Sequence, residues 1–153
     1  MKHWLFKSEP GCYSIDDLAR DKRTHWDGVR NYHARNMLRD DVKKGDVVLF
    51  YHSNCDEPGV AGIAEVVRGG YPDPSAFDPE DAHFDPKSDP DAPRWFVVDV
   101  RFKRRLRRVI TLSELKNDDR LHGFQLLQRG NRLSVMPVER AHFDIVLSLE
   151  NKA

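Results

Sequence analysis

The residues with the clearest chemical potential are cations. Residues 101–108 contain six arginine and lysine side chains in eight positions. The segment alternates in polarity with the period of a strand, which puts four cations on one face: Arg101, Lys103, Arg105 and Arg107. The other face carries five apolar residues: Phe96, Val98, Val100, Phe102 and Leu106. Such a row of cations can neutralise phosphates and give salt-dependent affinity for nucleic acid. The alternative is a solvated strand face that pairs with nearby acids.

A tryptophan in polar surroundings is the second feature with a chemical reading. Trp26 lies within the polar stretch 24–28, Thr-His-Trp-Asp-Gly. An indole in such a setting can expose its ring as a stacking face for a nucleobase. The alternative is an ordinary core anchor, because tryptophan is highly buried on average.

Metal chemistry lacks a complete set of ligands. His52 and Cys55 have H-x-x-C spacing, but a structural zinc site needs four ligands. The other cysteine, Cys12, is distant in sequence and has no paired neighbour. We therefore predict no metal and no cofactor.

Catalysis lacks a positioned partner. Ser53 follows His52, but adjacent strand residues point to opposite faces and rarely form a hydrogen-bonded pair. The candidates for a general base are Glu9, Asp27 and His52, and none has a convincing partner by spacing. We predict no catalytic residue.

The composition describes a small globular chain with balanced charge. It has 153 residues, 25 basic and 25 acidic, and a length typical of one domain, which we assign to residues 1–153. Zero net charge argues against a polycation that coats nucleic acid or membranes. The balance hides a local asymmetry, since residues 73–93 hold seven acids and five prolines directly before the cationic strand. No apolar run reaches membrane-spanning length, and two cysteines suit a reducing compartment, so we expect a cytoplasmic protein, or a nuclear one in a eukaryote.

The elements that must position these residues form a mixed α+β pattern. Strands are predicted at 3–6, 47–52, 60–67, 94–110 and 133–136. Short helices are predicted after Ser14, over 31–39, after Thr111, near 124–128 and from Pro137 onward. The proline-rich segment 73–93 is expected to be a long surface loop.

Eight sequence blocks, taken in order, resemble one known family. The blocks are WLFKSEP at 4–10, YSIDDL at 13–18, WDGVRNYHARNML at 26–38, GDVVLFYHSN at 45–54, GVAGIAEVV at 59–67, YPDPSAFDP at 71–79, PRWFVVDV at 93–100 and RLSVMPV at 132–138. Together they look like the EVE domain over nearly the whole chain. The resemblance implies a PUA-like fold, with a strongly curved, barrel-like sheet flanked by short helices.

The resemblance also implies a function. EVE domains are similar to YTH domains, which hold a methylated adenine in an aromatic cage, and EVE domains are thought to read modified bases. The partner implied is nucleic acid with modified bases, either modified cytosine in DNA or modified RNA, with the base flipped into a pocket. Two alternatives stay open: a hydrolase of modified nucleosides, and a small-molecule or protein-interaction domain.

Carried over residue by residue, the family pattern implies a pocket. Trp26 supplies the stacking ring, Asn31 a base-edge contact, and Arg30 a phosphate contact or a seal. A polar cluster at the pocket mouth is implied for His52, Ser53 and Asn54. Phe84 is implied as an aromatic wall, and Leu133 and Ser134 as an apolar wall and a hydroxyl. Ser8, Glu9 and Pro10 can line the same pocket, although a strand that ends at a proline is also ordinary.

Two departures from the family pattern bear on ligand choice. The family usually has glutamine at the position of His33, and a pair of tyrosines where this chain has His83 and Phe84. The second change removes two hydroxyl groups.

Overall fold

The computed structural model describes residues 1–152, which form a six-stranded mixed sheet with short helices around it. The strands are β1 (His3–Ser8), β2 (Arg23–His25), β3 (Val47–His52), β4 (Gly59–Pro72), β5 (Phe96–Thr111) and β6 (Val135–Val138). The helices are α1 (Ile15–Asp21), α2 (Tyr32–Asn36), α3 (Leu112–Lys116) and α4 (Arg140–Leu149). A π-helical turn, Met37–Asp41, extends α2, and three 3₁₀ turns cover Pro74–Phe77, Asp119–Leu121 and Gln125–Leu127.

The sheet has the order β2-β5-β4-β3-β1-β6 and is curved but not closed, with β2 and β6 at its edges. β1 and β3 run parallel, and the other neighbours run antiparallel. This confirms the predicted α+β class and the strongly curved sheet. Because parallel neighbours end at the same edge, Ser8 at the end of β1 lies opposite His52 at the end of β3.

The sheet separates two apolar clusters. β3 is the central element, and Val47–Tyr51 is buried throughout because both of its faces are covered. Val48 and Phe50 contribute to the first cluster, together with α1 and Trp26. Leu49 and Tyr51 contribute to the second, which α3 and α4 cover.

The long strand β5 changes faces along its length. Val98 and Val100 pack in the first cluster, whereas Leu106 packs in the second, so the predicted common face for all three is wrong. The pairing register with β4 shifts at several points, including the stretch that faces Val60 and Gly62. Each bulge adds a residue to one strand and reverses the alternation beyond it.

Two helix starts follow the predicted capping chemistry, at Ser14 and Thr111, and a third cap, at Asn31, was not predicted. Ser14 and Asp17 form a reciprocal capping box on α1, with hydrogen bonds of 3.1 and 2.8 Å. Asn31 caps α2 by accepting a hydrogen bond from the Ala34 N–H, and the Thr111 hydroxyl accepts one from the Glu114 N–H.

The prediction that Pro137 starts the last helix is wrong. Pro137 lies within β6, opposite Trp4 of β1, and α4 begins at Arg140. An edge strand tolerates proline because one side of the strand needs no ladder donor.

Membrane-spanning and metal-binding features were sought within residues 1–152. No helix there combines the length and the apolar character of a bilayer-crossing segment. No group of three or more His, Cys, Asp or Glu side chains converges there as a metal site.

Candidate functional site

A cavity of about 260 Å³ opens beside Trp26. Its walls come from four segments, the end of β1, the turn before α1, the edge strand β2 with the residues after it, and the long loop. The lining residues are Lys7, Ser8, Cys12, Tyr13, Thr24, His25, Trp26, Asp27 and His83. Aromatic, hydroxyl, imidazole and carboxylate groups are thus gathered in one concave site.

Trp26 is held firmly in the cavity wall. Its backbone N–H donates to the Val98 carbonyl at 2.8 Å, which continues the pairing of β2 with β5. Its ring lies 5.3 Å from the Phe6 ring and 5.3 Å from the Phe50 ring, the latter edge-on, and only 7% of the residue is exposed. The two neighbouring rings fix the indole plane.

The indole nitrogen of Trp26 is open to the cavity. It donates no hydrogen bond to any residue in the range 1–152, yet no buried side-chain nitrogen or oxygen in that range lacks a partner. The nitrogen is therefore reached by solvent, and the exposed side of Trp26 is the cavity side. A ligand placed there can stack on the exposed part of the ring or, in another orientation, accept from its N–H.

The edge strand β2 is held by a buried carboxylate. Asp99 of β5 accepts from Arg23 at 2.7 Å and from the Tyr71 hydroxyl at 2.5 Å. Burial alone raises the pKa of Asp99, but these donors outweigh it and hold the pKa below its ordinary value. This anchor fixes Thr24 and His25 at the cavity edge.

Tyr13 forms the wall that faces α1. The Ser8 hydroxyl donates to the Tyr13 carbonyl at 2.5 Å, and the Tyr13 hydroxyl donates to Asp21 at 2.9 Å. Burial and the Asp21 hydrogen bond raise the pKa of Tyr13 to about 12, so the phenol stays neutral.

The long loop is fastened to the cavity by one buried acid, Asp73, which has 0% exposure. Its carboxylate accepts from the Gly28 N–H at 3.0 Å, from Arg30 at 3.0 Å, and from the Ser75 N–H and hydroxyl at 2.8 and 2.7 Å. Burial raises the pKa of Asp73, but these four donors hold it below its ordinary value. Arg30 also donates to the His83 carbonyl at 2.6 Å, so it joins both ends of the loop segment that reaches the cavity.

His83 lies directly on Gly28. Gly28 has φ +76°, and a Cβ built on it would be 2.7 Å from the His83 ring. Only glycine permits both this conformation and this contact. The close approach places His83 in the cavity rim, where the family pattern has the first of its two tyrosines.

The predicted polar cluster lies beside the cavity rather than in its wall. His52 Nε2 accepts from the Ile15 N–H at 3.1 Å, Ser53 N–H donates to the Ser8 carbonyl at 2.9 Å, and Asn54 donates to Glu9 at 3.0 Å. These bonds fix the ends of β1 and β3 and the start of α1. Burial lowers the pKa of His52, against a smaller opposing effect of Asp16.

The remaining predicted pocket residues surround the cavity without lining it. Asn31 is the N-cap of α2, Phe84 is 38% exposed and follows His83, and Leu133 is half-buried between the two apolar clusters. The Ser134 carbonyl accepts from the Lys7 N–H at 2.8 Å, which attaches the segment before β6 to the cavity wall. Arg30 joins Asp73 to the His83 carbonyl, and its two predicted roles, as a phosphate contact or a seal, stay predictions.

The cations of β5 are largely paired with carboxylates. Arg101 lies 2.8 Å and Lys103 3.5 Å from Glu65 of β4. Glu65 alternates with Ala64 and Val66, which pack in the cluster that contains Trp26. Arg101 and Lys103 therefore face the opposite side of the sheet from the cavity.

The other two predicted phosphate ligands differ from each other. Arg105 lies 2.6 Å from Asp16 of α1, on the cavity side of the sheet, because α1 packs on the cluster that contains Trp26. Arg107 is exposed, and its backbone N–H donates to Glu150. The acids that pair with this strand come from β4, α1, α3 and the residue after α4 rather than from the loop at 73–93.

Several lining residues escaped the sequence prediction: Lys7, Cys12, Tyr13, Thr24 and His25. Thr24 and His25 belong to a three-residue strand with no periodic pattern. The block at 4–10 was the one signal that pointed toward Lys7 and Ser8. Asp27 and His83 were noticed, but as a candidate base and as a departure from the family.

Four larger grooves lie elsewhere, and two of them are near α3 and the 3₁₀ turn that follows it. These two have volumes of about 670 and 600 Å³ and are lined chiefly by charged and polar side chains. Among their described lining residues there is no Phe, Tyr or Trp, so neither offers an aromatic face to a base. The smaller cavity is the better-formed site despite its size.

The curved mixed sheet with short helices around it and a tryptophan-walled cavity at one edge defines a PUA-like module. The EVE domain family model matches residues 2–149, and the chain belongs to the EVE domain family.

The similar proteins cover nearly the whole chain. Human thymocyte nuclear protein 1 is 45% identical over 98% of this chain and 74% of its own length. A hypothetical protein from Leishmania major has a structure with a TM-score of 0.95 at 48% identity, covering 99% of this chain and 96% of that one. The human THYN1 protein in complex with 5-methylcytosine-containing DNA has a TM-score of 0.91 at 44% identity, covering 100% and 99%. An ASCH protein from Zymomonas mobilis, at 11% identity and a TM-score of 0.57, shares the fold alone.

Proposed function

We propose that this chain works as one EVE domain that binds DNA with a modified cytosine and holds the modified base, flipped out of its strand, in the cavity beside Trp26. RNA with modified bases is the second candidate substrate of the same site. In a eukaryotic cell, a DNA substrate places the protein in the nucleus.

The observation that carries the proposal is the state of Trp26. Its ring is locked by Phe6 and Phe50, while its indole N–H is open to a cavity large enough for a pyrimidine. Extracted bases need an aromatic face for stacking and polar groups for the base edge, and the cavity supplies both. The human relative that binds 5-methylcytosine-containing DNA supports the choice of modified cytosine.

The phosphates flanking the base are proposed to meet Arg105. Of the four predicted phosphate ligands, it is the one paired with α1, on the cavity side of the sheet. Its partner Asp16 is exposed, and exposed pairs of this kind contribute little stability, so a phosphate can replace Asp16 at small cost. Arg101, Lys103 and Arg107 stay predicted ligands for more distant phosphates.

We propose a binding role rather than catalysis. None of the three candidates for a catalytic general base has a positioned partner. His52 accepts a hydrogen bond from the Ile15 N–H, and Glu9 accepts one from Asn54. Asp27 lies 3.6 Å from His25, which is beyond hydrogen-bond distance. Hydrolysis needs a base within reach of a positioned partner. Hydrolytic release of 5-methylcytosine from its deoxyribose, or its deamination to thymine, on prolonged incubation of an oligonucleotide would contradict this part of the proposal.

The test compares two tryptophan substitutions by fluorescence anisotropy, on oligonucleotides that differ only by one 5-methyl group. Trp26→Leu removes the ring and the N–H but keeps most of the apolar volume. It should weaken binding of the methylated strand by about 1–3 kcal/mol, the size of a base-stacking contribution. The preference for methylated over unmethylated DNA should disappear with it.

Trp4→Leu is the matched control. Trp4 is buried in the same cluster, but it is bonded to Asp46 and does not line the cavity. This variant should lose stability and retain the methylation preference. Retention of that preference by Trp26→Leu would refute the proposal.

A further inference from the structure

We infer that Asp27 selects the base by accepting a hydrogen bond from the exocyclic 4-amino group, so that the cavity takes cytosine-type bases and rejects thymine. This inference rests on the proposed function and adds a specificity-determining residue to it. Thymine is the critical competitor because it carries the same 5-methyl group as 5-methylcytosine. A site that responded to the methyl group alone would bind thymine throughout the DNA.

Asp27 is the available acceptor in the cavity. It lines the wall next to Trp26, and its side chain is 37% exposed. Within residues 1–152, no N–H or O–H donates to its carboxylate, and the one basic side chain within 4.0 Å of it is that of His25, whose Nε2 lies 3.6 Å away. A carboxylate that accepts no hydrogen bond from the protein can accept one from a ligand.

The neighbouring carboxylates are already saturated. Asp73 takes four donors from Gly28, Arg30 and Ser75. Asp21, behind the Tyr13 wall, takes the Tyr13 hydroxyl and Arg20. The contrast singles out Asp27 as the acid whose hydrogen-bonding capacity is left for a ligand.

The position of Asp27 next to Trp26 matches the edge of cytosine. The 4-amino group of cytosine donates, and its ring nitrogen and 2-carbonyl accept. A carboxylate acceptor in the cavity wall, next in sequence to the stacking ring, supplies the complement of that amino group. Thymine presents a carbonyl at position 4, which would set oxygen against carboxylate oxygen and leave both without a donor.

The experiment measures the affinity of three single-stranded oligonucleotides that differ at one base: 5-methylcytosine, thymine, and 5-methyl-2-pyrimidinone, which lacks only the amino group. The wild-type protein should bind the first at least about tenfold more tightly than the other two, the size of one good base-edge contact. Asp27→Asn, whose amide can donate to a carbonyl, should lower the ratio of 5-methylcytosine to thymine affinity by about tenfold or more.

Asp144→Asn is the control, because it removes one negative charge from an exposed site on α4 that is remote from the cavity. It should leave all three affinities unchanged. A thermal unfolding scan of each variant confirms that the fold is retained, as the exposure of Asp27 leads us to expect.

The outcomes separate the two proposals. If the wild-type protein prefers 5-methylcytosine to cytosine in the anisotropy test of the proposed function but binds thymine as well as 5-methylcytosine, or if Asp27→Asn keeps the wild-type ratio, the role of Asp27 is refuted and the proposed function stands. If the wild-type protein shows no preference for 5-methylcytosine over cytosine, the proposed function itself fails, and the inference fails with it.

Discussion

Trp26 combines burial with an open polar group, and this combination decides how the residue can act. Most of the ring surface packs on Phe6 and Phe50, so the indole cannot rotate to meet a ligand. A ligand meets a preorganised face and loses little binding free energy to ordering of the protein. Of the two alternatives raised by the sequence, Trp26 is a core residue, and the proposed stacking role would use the part of the ring that the core leaves at the cavity.

Gly28→Ala should destabilise the protein and loosen the cavity rim. A residue with a β-carbon loses about 1–2 kcal/mol of stability at a positive φ. The new Cβ would also lie 2.7 Å from the His83 ring atoms, so the ring would have to move. Urea unfolding measures the loss of stability, and anisotropy measures the expected weaker binding of methylated DNA. Gly130→Ala is the control, since φ is +79° there but nothing lies within 4 Å of the new Cβ. Equal effects of the two variants on DNA affinity would contradict a role for His83 in the rim.

His52 should make stability depend on pH below neutrality. Burial lowers the pKa of His52 from 6.5, so the unfolded chain binds its proton more readily than the folded one. Its contribution is therefore complete above pH 6.5 and is lost as the pH falls from 6.5 toward the lowered pKa. His52→Gln keeps an acceptor for the Ile15 N–H but cannot titrate, so the slope of unfolding free energy between pH 7.5 and 5 should decrease by up to about 1 kcal/mol per pH unit.

The same substitution at an exposed histidine, His122→Gln, provides the comparison. It should leave the pH dependence of unfolding close to that of the wild type. If the slope of unfolding free energy against pH is the same in His52→Gln as in the wild type, the fold does not depend on a neutral His52 ring at the start of α1.

At the scale of elements, the long loop depends on one ion pair between Arg30 and Asp73. Removal of one partner of a buried pair leaves an uncompensated charge, so Arg30→Gln should cost about 3 kcal/mol of unfolding free energy. Hydrogen exchange should rise in residues 78–93, because the tie between Asp73 and the His83 carbonyl is lost.

The double variant Arg30→Gln/Asp73→Asn tests the cause. It removes the buried charge as well, so it should recover part of the lost stability without restoring loop protection. The two single variants, Arg30→Gln and Asp73→Asn, are measured beside it. If the double variant loses more unfolding free energy than the two single variants lose together, the pair is not the controlling contact.

The elements that the sequence predicted well are those that local chemistry specifies. The apolar run Val47–His52 appears as β3 with the predicted bounds, and the capping box at Ser14 starts α1. Both depend on neighbouring residues alone, through burial of a continuous run and satisfaction of backbone donors.

The elements that the sequence missed are specified by distant contacts. β2 has no strand pattern of its own and exists because Arg23 meets Asp99 and because β5 offers a free edge. Asp73 reads as one more acid in a polar loop, yet it is the buried anchor of that loop. The cavity depends on both, so the family resemblance led to Trp26 but not to the walls around it.

At the scale of the whole molecule, many of the balanced acidic and basic side chains pair with each other across the fold. The cations of β5 pair with β4, α1, α3 and α4, while the acids of the loop satisfy backbone donors and the Trp95 indole. Most of the cations of β5 therefore have an acidic partner. Affinity for DNA should come from the base pocket with few phosphate contacts.

A salt titration tests this distribution. Arg105→Gln should reduce the slope of log affinity against log salt concentration by about one, the loss of one phosphate contact. Arg101→Gln removes the same charge from the opposite face of the sheet and should change the slope less. The reverse order would place the DNA backbone on the Glu65 side of the sheet.

The most direct test of the central claim is a two-dimensional NMR titration that follows the three tryptophan indole N–H signals. The Trp4 indole is bonded to Asp46 at 2.9 Å and the Trp95 indole to Asp85 at 2.6 Å, whereas the Trp26 indole is open to the cavity. With an oligonucleotide that contains one 5-methylcytosine, the Trp26 signal should shift strongly, the other two should stay in place, and the unmethylated strand should have a much smaller effect. A Trp26 signal that does not move at saturation, or that moves equally with both strands, would contradict recognition of the modified base in this cavity.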